Sequence, residues 1–551
     1  MKGGAKMKKG SRTFLSGVLV LTLANLITKV IGLIFKIPLT NMLGNEGMGY
    51  FNTAYQIYTW LYMLSTAGVP VALSMMVSEC NARGRHSESK KLLRLTLTVF
   101  AIAGLIGSAA MLIFCRGLAS FISADKAYLC ILAISPALFF VCVSSTVRGY
   151  FQGRRNMVPT AVSEIIESSL KLIIGIALGY YALTKGYEPY TVAAYAILGV
   201  TVGVGAGAVF LSVSAFLSRC FSSEKAADVA EYEPQSSKRL LSTFFKIAIP
   251  VMLSSSLLSM SSMFDTLIVI GRLQNIGVSE EASVALYGNY TAYCVTLFNL
   301  PPVLIYPIVN TLIPTLSAAN ASGDRKKARL LTDKSLKLSG IIALPCAVGL
   351  GVMSLPILKL IFTSEANAEM AAPLLTALAP SVFLIGVMAV TNGLLQAHRL
   401  QKYSVISMIF GALVKGVTAY LLPAVKIGGA YLGIYASPIS TMLFYLTITV
   451  INFYFLAVKT DVRISALSVF IRPLLAAILC GITAAGSYTA LSALFGEMKL
   501  FTLIAIGLAA IIYLISLLVF GAITRSDVEL VPKAEKLVNR LPVVRKLIRD
   551  K

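Results

Sequence analysis

Residues 500–524 read LFTLIAIGLAAIIYLISLLVFGAIT, an apolar stretch without a charged side chain. Crossing about 30 Å of hydrocarbon takes roughly 20 residues of helix, so this stretch is long enough to span a membrane. Comparable stretches recur along all 551 residues, of which 57% are hydrophobic and 13% charged. The only long polar segments, 218–243 and the tail from 525, are too short to bury a core. The sequence therefore predicts an all-α integral membrane protein and excludes a soluble enzyme with a single anchor.

The apolar windows between polar breaks predict fourteen transmembrane helices. They cover residues 13–36, 49–79, 92–114, 127–151, 157–183, 192–217, 244–271, 284–317, 335–362, 372–397, 403–425, 429–456, 466–493 and 500–524.

Lysine and arginine counts in the connections predict the orientation of these helices. Of the 48 Lys and Arg residues, 36 lie in or beside the N-terminus, the even-numbered connections and the tail, and 7 lie in or beside the odd-numbered connections. Because positive residues favour the cytoplasmic side, both termini are predicted to be cytoplasmic. The net charge of +24 then reflects membrane topology and anionic lipid, and it does not predict nucleic-acid binding. Beyond residue 525 the tail is predicted to lie along the inner leaflet as an amphipathic segment.

The second half of the chain repeats motifs of the first. Arg148-Gly149-Tyr150-Phe151-Gln152, followed by Arg155 and Lys171, matches Asn392-Gly393-Leu394-Leu395-Gln396, followed by Arg399 and Lys415, at a constant offset of 244. A second match pairs Asn81-Ala82-Arg83-Gly84 with Asn320-Ala321-Ser322-Gly323 at an offset of 239. An even number of helices per repeat predicts two parallel lobes related by an axis along the membrane normal, which is a transporter architecture.

This repeat predicts the domain organisation. Residues 1–217 form an N-lobe of helices 1–6, 218–243 a cytoplasmic linker, and 244–456 a C-lobe of helices 7–12. Residues 457–524 add helices 13 and 14, and 525–551 form the cytoplasmic tail.

Charged residues within the predicted spans are the candidate functional residues, because charge in hydrocarbon costs at least about 2.5 kcal/mol without a partner or a wet cavity. Asn25, Lys29 and Lys36 share one face of helix 1, and Lys415 has no carboxylate in its own helix. These four are predicted to line a substrate cavity, although Lys36 could equally reach the membrane interface.

Acidic residues within the spans have two open interpretations. Asp265 and Glu164 are candidates for binding a coupling cation, and Asp265 could instead neutralise Lys29 or Lys415. Glu167 and Lys171 are predicted to form a structural ion pair at i, i+4. No metal site is predicted, since the eight cysteines and two histidines lack ligand spacing.

The plan of six, six and two helices, with Thr28-Lys29-Val30-Ile31-Gly32, Asn81-Ala82-Arg83-Gly84 and Arg148-Gly149-Tyr150-Phe151-Gln152-Gly153, resembles one known family. This is the polysaccharide-transporter branch of the multidrug/oligosaccharidyl-lipid/polysaccharide exporter superfamily. Within it the similarity is to the stage V sporulation protein B group, which is related to the lipid II flippases. The resemblance implies alternating access, an undecaprenyl-pyrophosphate-linked glycan as cargo, and a basic cavity in which Lys29 matches a basic position.

We therefore expect a flippase or exporter of a lipid-linked anionic glycan, acting as a monomer in the bacterial cell membrane. No Walker-type glycine loop is present, so an ion gradient of Na⁺ or H⁺, the membrane potential or cargo consumption would drive transport, without a bound cofactor. The alternative is a cation-coupled multidrug exporter of the same fold. A lipid-modifying membrane enzyme would need an acidic or histidine cluster at a membrane face, and the sequence shows none.

Overall fold

The computed structural model describes residues 2–218, 220, 235–460 and 467–522, which are nearly all helical. The chain divides into two compact units, Met1–Gly288 (unit 1) and Asn289–Lys551 (unit 2). Most of the predicted linker and the whole predicted amphipathic tail, 525–551, lie outside the described residues. The predicted lobe boundaries at 217, 244 and 456 are drawn from the sequence repeat, and they stay predictions.

Unit 1 consists of helices of very different length. Its α-helices are α1 (Lys2–Thr66), α2 (Val69–Ala82), α3 (His86–Ile113), α4 (Cys115–Phe121), α5 (Tyr128–Gly153), α6 (Val158–Thr184), α7 (Pro189–Leu217), α8 (Ser237–Phe264), α9 (Ile270–Asn275) and α10 (Glu280–Asn289), whose last residue lies in unit 2. A 3₁₀ turn covers Asp125–Ala127 and a π-helical turn covers Asp265–Val269.

The helix α1 combines the first predicted span with most of the second. Gly44 is its single non-helical residue, with φ 64° and ψ −170°, a conformation that is open almost only to glycine. The helix ends at Thr66, and α2 begins after Gly68 with Pro70 in its first turn. Proline is well tolerated there because the first N–H groups of a helix have no intrahelical acceptor. The second predicted span, 49–79, is thus divided between α1 and α2.

Unit 2 contains α11 (Val295–Phe298), α12 (Pro301–Ala321), α13 (Arg325–Val352), α14 (Ser354–Ile361), α15 (Glu365–Leu378), α16 (Pro380–Ala397), α17 (Gln401–Leu421), α18 (Ala436–Lys459), α19 (Arg472–Phe495) and α20 (Lys499–Val519). Strands β1 (Lys426–Ile427) and β2 (Ala430–Tyr431) form a small antiparallel hairpin. Further 3₁₀ turns cover Leu422–Ala424 and Gly433–Tyr435, and π-helical turns cover Tyr290–Cys294 and Leu467–Ile471.

Membrane-compatible helices dominate both units. Within the described residues, eleven helical stretches are long and apolar enough to cross a membrane, and one of them, Leu23–Ala82, is 60 residues long. Many large apolar side chains on these stretches are exposed, such as Leu105 on α3 and Ile482 on α19. Exposed apolar faces of this extent suit a lipid environment. The chain is accordingly a multi-pass membrane protein.

The two helix ends that match in sequence also match in backbone conformation. Arg155 and Arg399, at the offset of 244, both have φ of 60°, although positive φ is uncommon outside glycine. In both places the following residue donates an N–H to a carbonyl five residues earlier, a C-terminal capping pattern. Gly84 and Gly323, at the offset of 239, have φ of 72° and 70°. The repeated sequences therefore build the same local structure.

Candidate substrate-binding site

Two lysine side chains of unit 1 lie near one another between α1 and α6, which pack together. Lys36 Nζ donates a hydrogen bond to Asn52 Oδ1 at 2.9 Å, and both residues belong to α1. Lys171 Nζ, on α6, donates to the Tyr55 hydroxyl at 3.4 Å. It also lies 5.1 Å from the ring centroid of Phe35 and 4.8 Å from that of Tyr55. Among the described residues, both ammonium groups therefore have neutral partners and no carboxylate.

Arg148, near the end of α5, is the third cation of this region. Its Nη2 atom lies 2.9 Å from Glu167 Oε2 on α6, and its Nε atom donates to Ser163 Oγ at 3.3 Å. The predicted pairing of Glu167 with Lys171 is therefore wrong for the described part of the chain. The i, i+4 spacing permits that pair, but Arg148 offers a planar guanidinium from a neighbouring helix, and Lys171 turns toward aromatic rings instead.

Glu164 lies one turn before Glu167 on α6. Its Oε2 atom is buried and makes no hydrogen bond within the described residues. Two charges act on Glu164: Arg148 stabilises its negative charge, and Glu167 opposes it. We call Lys36, Arg148, Glu164, Glu167 and Lys171 the charged cluster. It holds three cations and two carboxylates, a formal excess of one positive charge.

Lys29 and Asn25 occupy the predicted polar face of α1, and both side chains are exposed. Lys29 lies seven residues before Lys36, about 10 Å along the helix axis on the same face. Leu26, Ile27 and Val30 around it are exposed as well, so this part of α1 has few neighbours in unit 1. The structure thus brings Lys36 into the charged cluster and leaves Lys29 and Asn25 on an open surface.

Lys415, on α17 in unit 2, is completely buried. Its Nζ atom donates to Thr441 Oγ1 at 2.6 Å, Ser440 Oγ at 3.0 Å and the Ser437 carbonyl oxygen at 3.4 Å, all on α18. Cargo cannot reach this ammonium group in the described conformation. Its predicted place in the substrate cavity stays a prediction for another state of the protein.

Asp265, the other predicted cation ligand, begins the π-helical turn Asp265–Val269 and is buried in unit 1. The next residue, Thr266, hydrogen bonds through Oγ1 to the Tyr287 hydroxyl at 2.6 Å. π-Helical turns within α-helices are rare and often occur at functional sites. The Asp265 carboxylate lies in electrostatic range of Tyr287.

Unit 2 has a neutral network where unit 1 has the ion pair. Asn392 matches Arg148 at the offset of 244, and Ser407 matches Ser163. Asn452 Nδ2 donates to Asn392 Oδ1 at 2.7 Å, and Ser407 Oγ donates to Asn452 Oδ1 at 2.7 Å. The equivalent region of unit 2 is therefore held by amides and hydroxyls, whereas that of unit 1 is held by an ion pair.

Sequence reasoning placed Lys36 in the site but missed its partners. Asn52 and Tyr55 lie one turn apart on α1, and the sequence contains that spacing. Gly44 lies in the predicted connection between the first two spans, so the sequence predicts that the chain turns there, but it does not show which residues of the second span then lie beside Lys36. Arg148 has no carboxylate on its own helix, so the sequence does not reveal that it pairs with Glu167 of α6.

Fold and site together define a membrane transporter of the multidrug/oligosaccharidyl-lipid/polysaccharide superfamily. Residues 14–320 match the family described as polysaccharide biosynthesis protein, and residues 250–421 match the MatE family. Since the first match covers more than half of the chain, this protein belongs to the polysaccharide biosynthesis protein family. This confirms the resemblance found in the sequence.

Two curated relatives come from Bacillus subtilis. The chain is 27% identical over 538 residues to stage V sporulation protein B, covering 96% of this chain and 99% of the relative. It is 25% identical over 452 residues to lipid II flippase MurJ, covering 79% of this chain and 82% of the relative.

Two solved structures share the fold. A structure of lipid II flippase MurJ in an inward closed conformation has a TM-score of 0.67 at 15% identity, covering 90% of this chain and 98% of the other. An inward-facing multidrug resistance MATE family transporter has a TM-score of 0.64 at 16% identity, covering 80% of this chain and 98% of the other.

Proposed function

We propose that this protein moves an undecaprenyl-pyrophosphate-linked glycan, such as lipid II or a polysaccharide precursor, across the bacterial cell membrane by alternating access. The observation that carries the proposal is the pair Lys36 and Lys171, two neighbouring ammonium groups with neutral partners in the described residues. The name of one relative, lipid II flippase MurJ, supports a glycan-lipid cargo.

The physical reason is charge compensation in a region of low dielectric. A diphosphate carries about two negative charges, and charge-assisted hydrogen bonds are roughly twice as strong as neutral ones. Neutral oxygens and aromatic rings hold Lys36 and Lys171 in place without neutralising them. A diphosphate replacing these weak partners gains two ionic contacts, yet lysine releases an anion more readily than a bidentate arginine does. Lys29 and Asn25, about two and three turns before Lys36 on α1, would receive the headgroup first.

The proposed architecture has fourteen transmembrane helices in two parallel six-helix lobes, with two further helices after them. Counting Leu23–Ala82 as two spans and adding Val158–Thr184 and Pro301–Ala321 to the eleven stretches gives fourteen. The matched helix ends at Arg155 and Arg399 support the repeat. The excess of Lys and Arg in even-numbered connections supports cytoplasmic termini, and we propose that the protein acts as a monomer without a catalytic step.

Glu164 is the proposed ligand for a coupling Na⁺ or H⁺. Its buried Oε2 atom has no hydrogen-bond partner within the described residues, and an unpaired buried carboxylate oxygen is costly unless a cation or proton reaches it. Asp265, on the π-helical turn, is the second candidate. Coupling follows if cation binding at Glu164 alters how Arg148 is shared between the two carboxylates of α6.

The decisive experiment measures lipid II translocation in vesicles together with growth rescue of a bacterial strain depleted of its own flippase. Lys36→Gln combined with Lys171→Gln should reduce translocation at least tenfold at equal membrane abundance. Lys185→Gln, at the exposed end of the same helix α6, is the matched control and should behave as wild type. Undiminished rescue by the double variant at equal abundance would remove the proposed diphosphate site.

A second candidate function, cation-coupled multidrug export, is favoured by Glu164 and by the MatE match over residues 250–421. In that case Glu164→Gln should abolish cation-driven efflux of an organic cation from vesicles, whereas Lys36→Gln should have little effect. Efflux of such a drug by the wild type, combined with no lipid II translocation, would replace the flippase proposal.

A further inference from the structure

A cavity of about 800 Å³ opens in unit 2, separate from the charged cluster of unit 1. Its walls come from the end of α12, the start of α13, the turn after α16 and the end of α18. The charged residues among its walls are Asp324, Arg325, Lys326, Arg329 and Lys459. Four cations face one carboxylate there, which is a formal excess of three positive charges. The general excess of cations on one membrane side explains why these residues are positive. It does not explain why four of them line a single cavity.

The cations at the start of α13 oppose the electrostatics of their own helix. This helix has 28 residues, begins at Arg325 and has no acidic residue in its first turn. The N-terminus of a helix carries a partial positive charge, so Arg325 and Lys326, in the first turn of α13, are each disfavoured there. A bound anion would reverse the sign of all these interactions at once. The arrangement is therefore unfavourable for an empty cavity and favourable for an anionic ligand.

A half-buried histidine, His398, supplies a neutral wall of the same cavity. Asn320 Nδ2 lies 3.3 Å from His398 Nδ1, and this contact assigns the ring proton to Nε2 because the amide NH₂ can only donate. The Nε2 atom is buried without a hydrogen bond among the residues that the structure describes. Burial lowers the pKa of His398, so the ring is neutral at pH 7. The N–H donor at His398 Nε2 thus has no acceptor among the described residues.

An apolar face of α18 leads to the cavity. Val450, Tyr454 and Val458 follow one another at intervals of four residues and are 57%, 62% and 56% exposed, so they share one open side of the helix. Val458 also lines the cavity. A ligand with an anionic head and an apolar tail matches both features, whereas a soluble anion would use only the first.

We propose that this cavity binds the phosphate headgroup of an anionic membrane phospholipid, whose acyl chains lie along Val450, Tyr454 and Val458. The headgroup phosphate is paired with Lys326, Arg329 and Lys459, and it accepts from the N–H groups at the start of α13. Basic pockets at the membrane surface commonly bind such lipids. The proposal concerns a site of lipid recognition in unit 2 and is independent of the cargo carried by unit 1.

The test uses the purified full-length protein in detergent and dioctanoyl phosphatidylglycerol as the probe, with binding measured by native mass spectrometry. Lys326→Gln combined with Arg329→Gln should weaken binding at least tenfold. Lys459→Gln, on a different helix, should weaken it severalfold, and Arg329→Lys should retain most of it. The matched control is Lys238→Gln with Arg239→Gln at the start of α8, two exposed cations outside the cavity, and it should bind as wild type. Monodisperse elution of each variant reports folding.

Three further results decide the proposal. Dioctanoyl phosphatidylcholine, which has no net charge, should bind at least tenfold more weakly than phosphatidylglycerol. Competition by glycerol 3-phosphate at concentrations equal to those of phosphatidylglycerol would show a site for soluble phosphate and overturn the assignment to lipid. Equal losses in the cavity variant and in the α8 control would show nonspecific surface attraction and would also overturn it.

Discussion

The ion pair between Arg148 and Glu167 gives a quantitative test of the charged cluster. The closest atoms are 2.9 Å apart, and the two side chains are 14% and 29% exposed. Opposite charges about 4 Å apart attract by about 4 kcal/mol at an effective dielectric constant of about 20. Desolvation and partial exposure offset roughly half of this energy, which leaves a coupling of about 2 kcal/mol.

A double-mutant cycle measures this coupling as the free energy of unfolding in mixed micelles of dodecylmaltoside and sodium dodecyl sulfate. Arg148→Gln and Glu167→Gln should each destabilise the protein by about 2 to 3 kcal/mol, since each leaves a partly buried charge without its partner. The double variant should be about as stable as either single variant, because it removes both partners of the pair.

A second cycle with the same carboxylate serves as the control. Glu167→Gln and Lys171→Gln lie at i, i+4 on α6, where the sequence alone predicts the ion pair. Because Lys171 contacts Tyr55 and Phe35 instead, their coupling should be below about 0.5 kcal/mol. A coupling between Glu167 and Lys171 that exceeds the one between Arg148 and Glu167 would refute the geometry of the charged cluster.

Three further predictions address other parts of the molecule. A Cβ atom at Gly49 would collide with the carbonyl oxygen of Val284, so Gly49→Ala should reduce lipid II translocation in vesicles at least fivefold. Gly349→Ala, with open space around it, should leave the translocation rate unchanged. Equal rates for the two variants would contradict the close packing at Gly49. Lys415→Met should alter the free energy of unfolding by less than about 1 kcal/mol, because the Ser440 and Thr441 hydroxyls keep their hydrogen bonds to the Ser437 carbonyl oxygen. A large loss of lipid II translocation in this variant would instead indicate that Lys415 contacts cargo. The pKa of Glu281 is lowered, chiefly by a hydrogen bond from its own backbone N–H, so its contribution to stability is present above its ordinary pKa of 4.5 and is lost as the pH falls. The unfolding temperature should therefore drop more between pH 7 and pH 4 in wild type than in Glu281→Gln. Equal drops in the two proteins would contradict the lowered pKa.

The membrane class and the family can be predicted from the sequence because both depend on apolar runs and local motifs. Neither requires knowing which side chains of different helices meet. Apolar runs of about 20 residues have few alternatives to spanning a bilayer, since lipid cannot hydrogen bond to exposed backbone. The motif around Gly149 and its match at Gly393 likewise reflect local structure, and the positive φ at Arg155 and Arg399 shows that the repeated residues adopt the same capping turn.

The partners of the charged residues were beyond the sequence because they come from other helices. Lys171 has a carboxylate one turn away on its own helix, but its direction is set by Tyr55 and Phe35 on α1. Lys415 lacks an acidic neighbour in its helix, which predicts a wet cavity, yet its ammonium group is buried and donates to two hydroxyls and a carbonyl oxygen of α18. Hydroxyl groups are common in apolar helices, and their sequence positions do not reveal which of them converge on one ammonium group.

The interruption of α1 at Gly44 has a mechanical consequence. The helical segments on either side of this residue follow each other without a loop. A tilt of the segment bearing Lys29 and Lys36 is therefore transmitted directly to the segment bearing Asn52. No heavy atom lies within 4 Å of a Cβ built at Gly44, so the residue there is restricted to glycine by the backbone geometry and not by lack of space. Binding of a headgroup near Lys29 would therefore shift the helix about two turns beyond Gly44, at Asn52, because no loop lies between the two segments to absorb the movement.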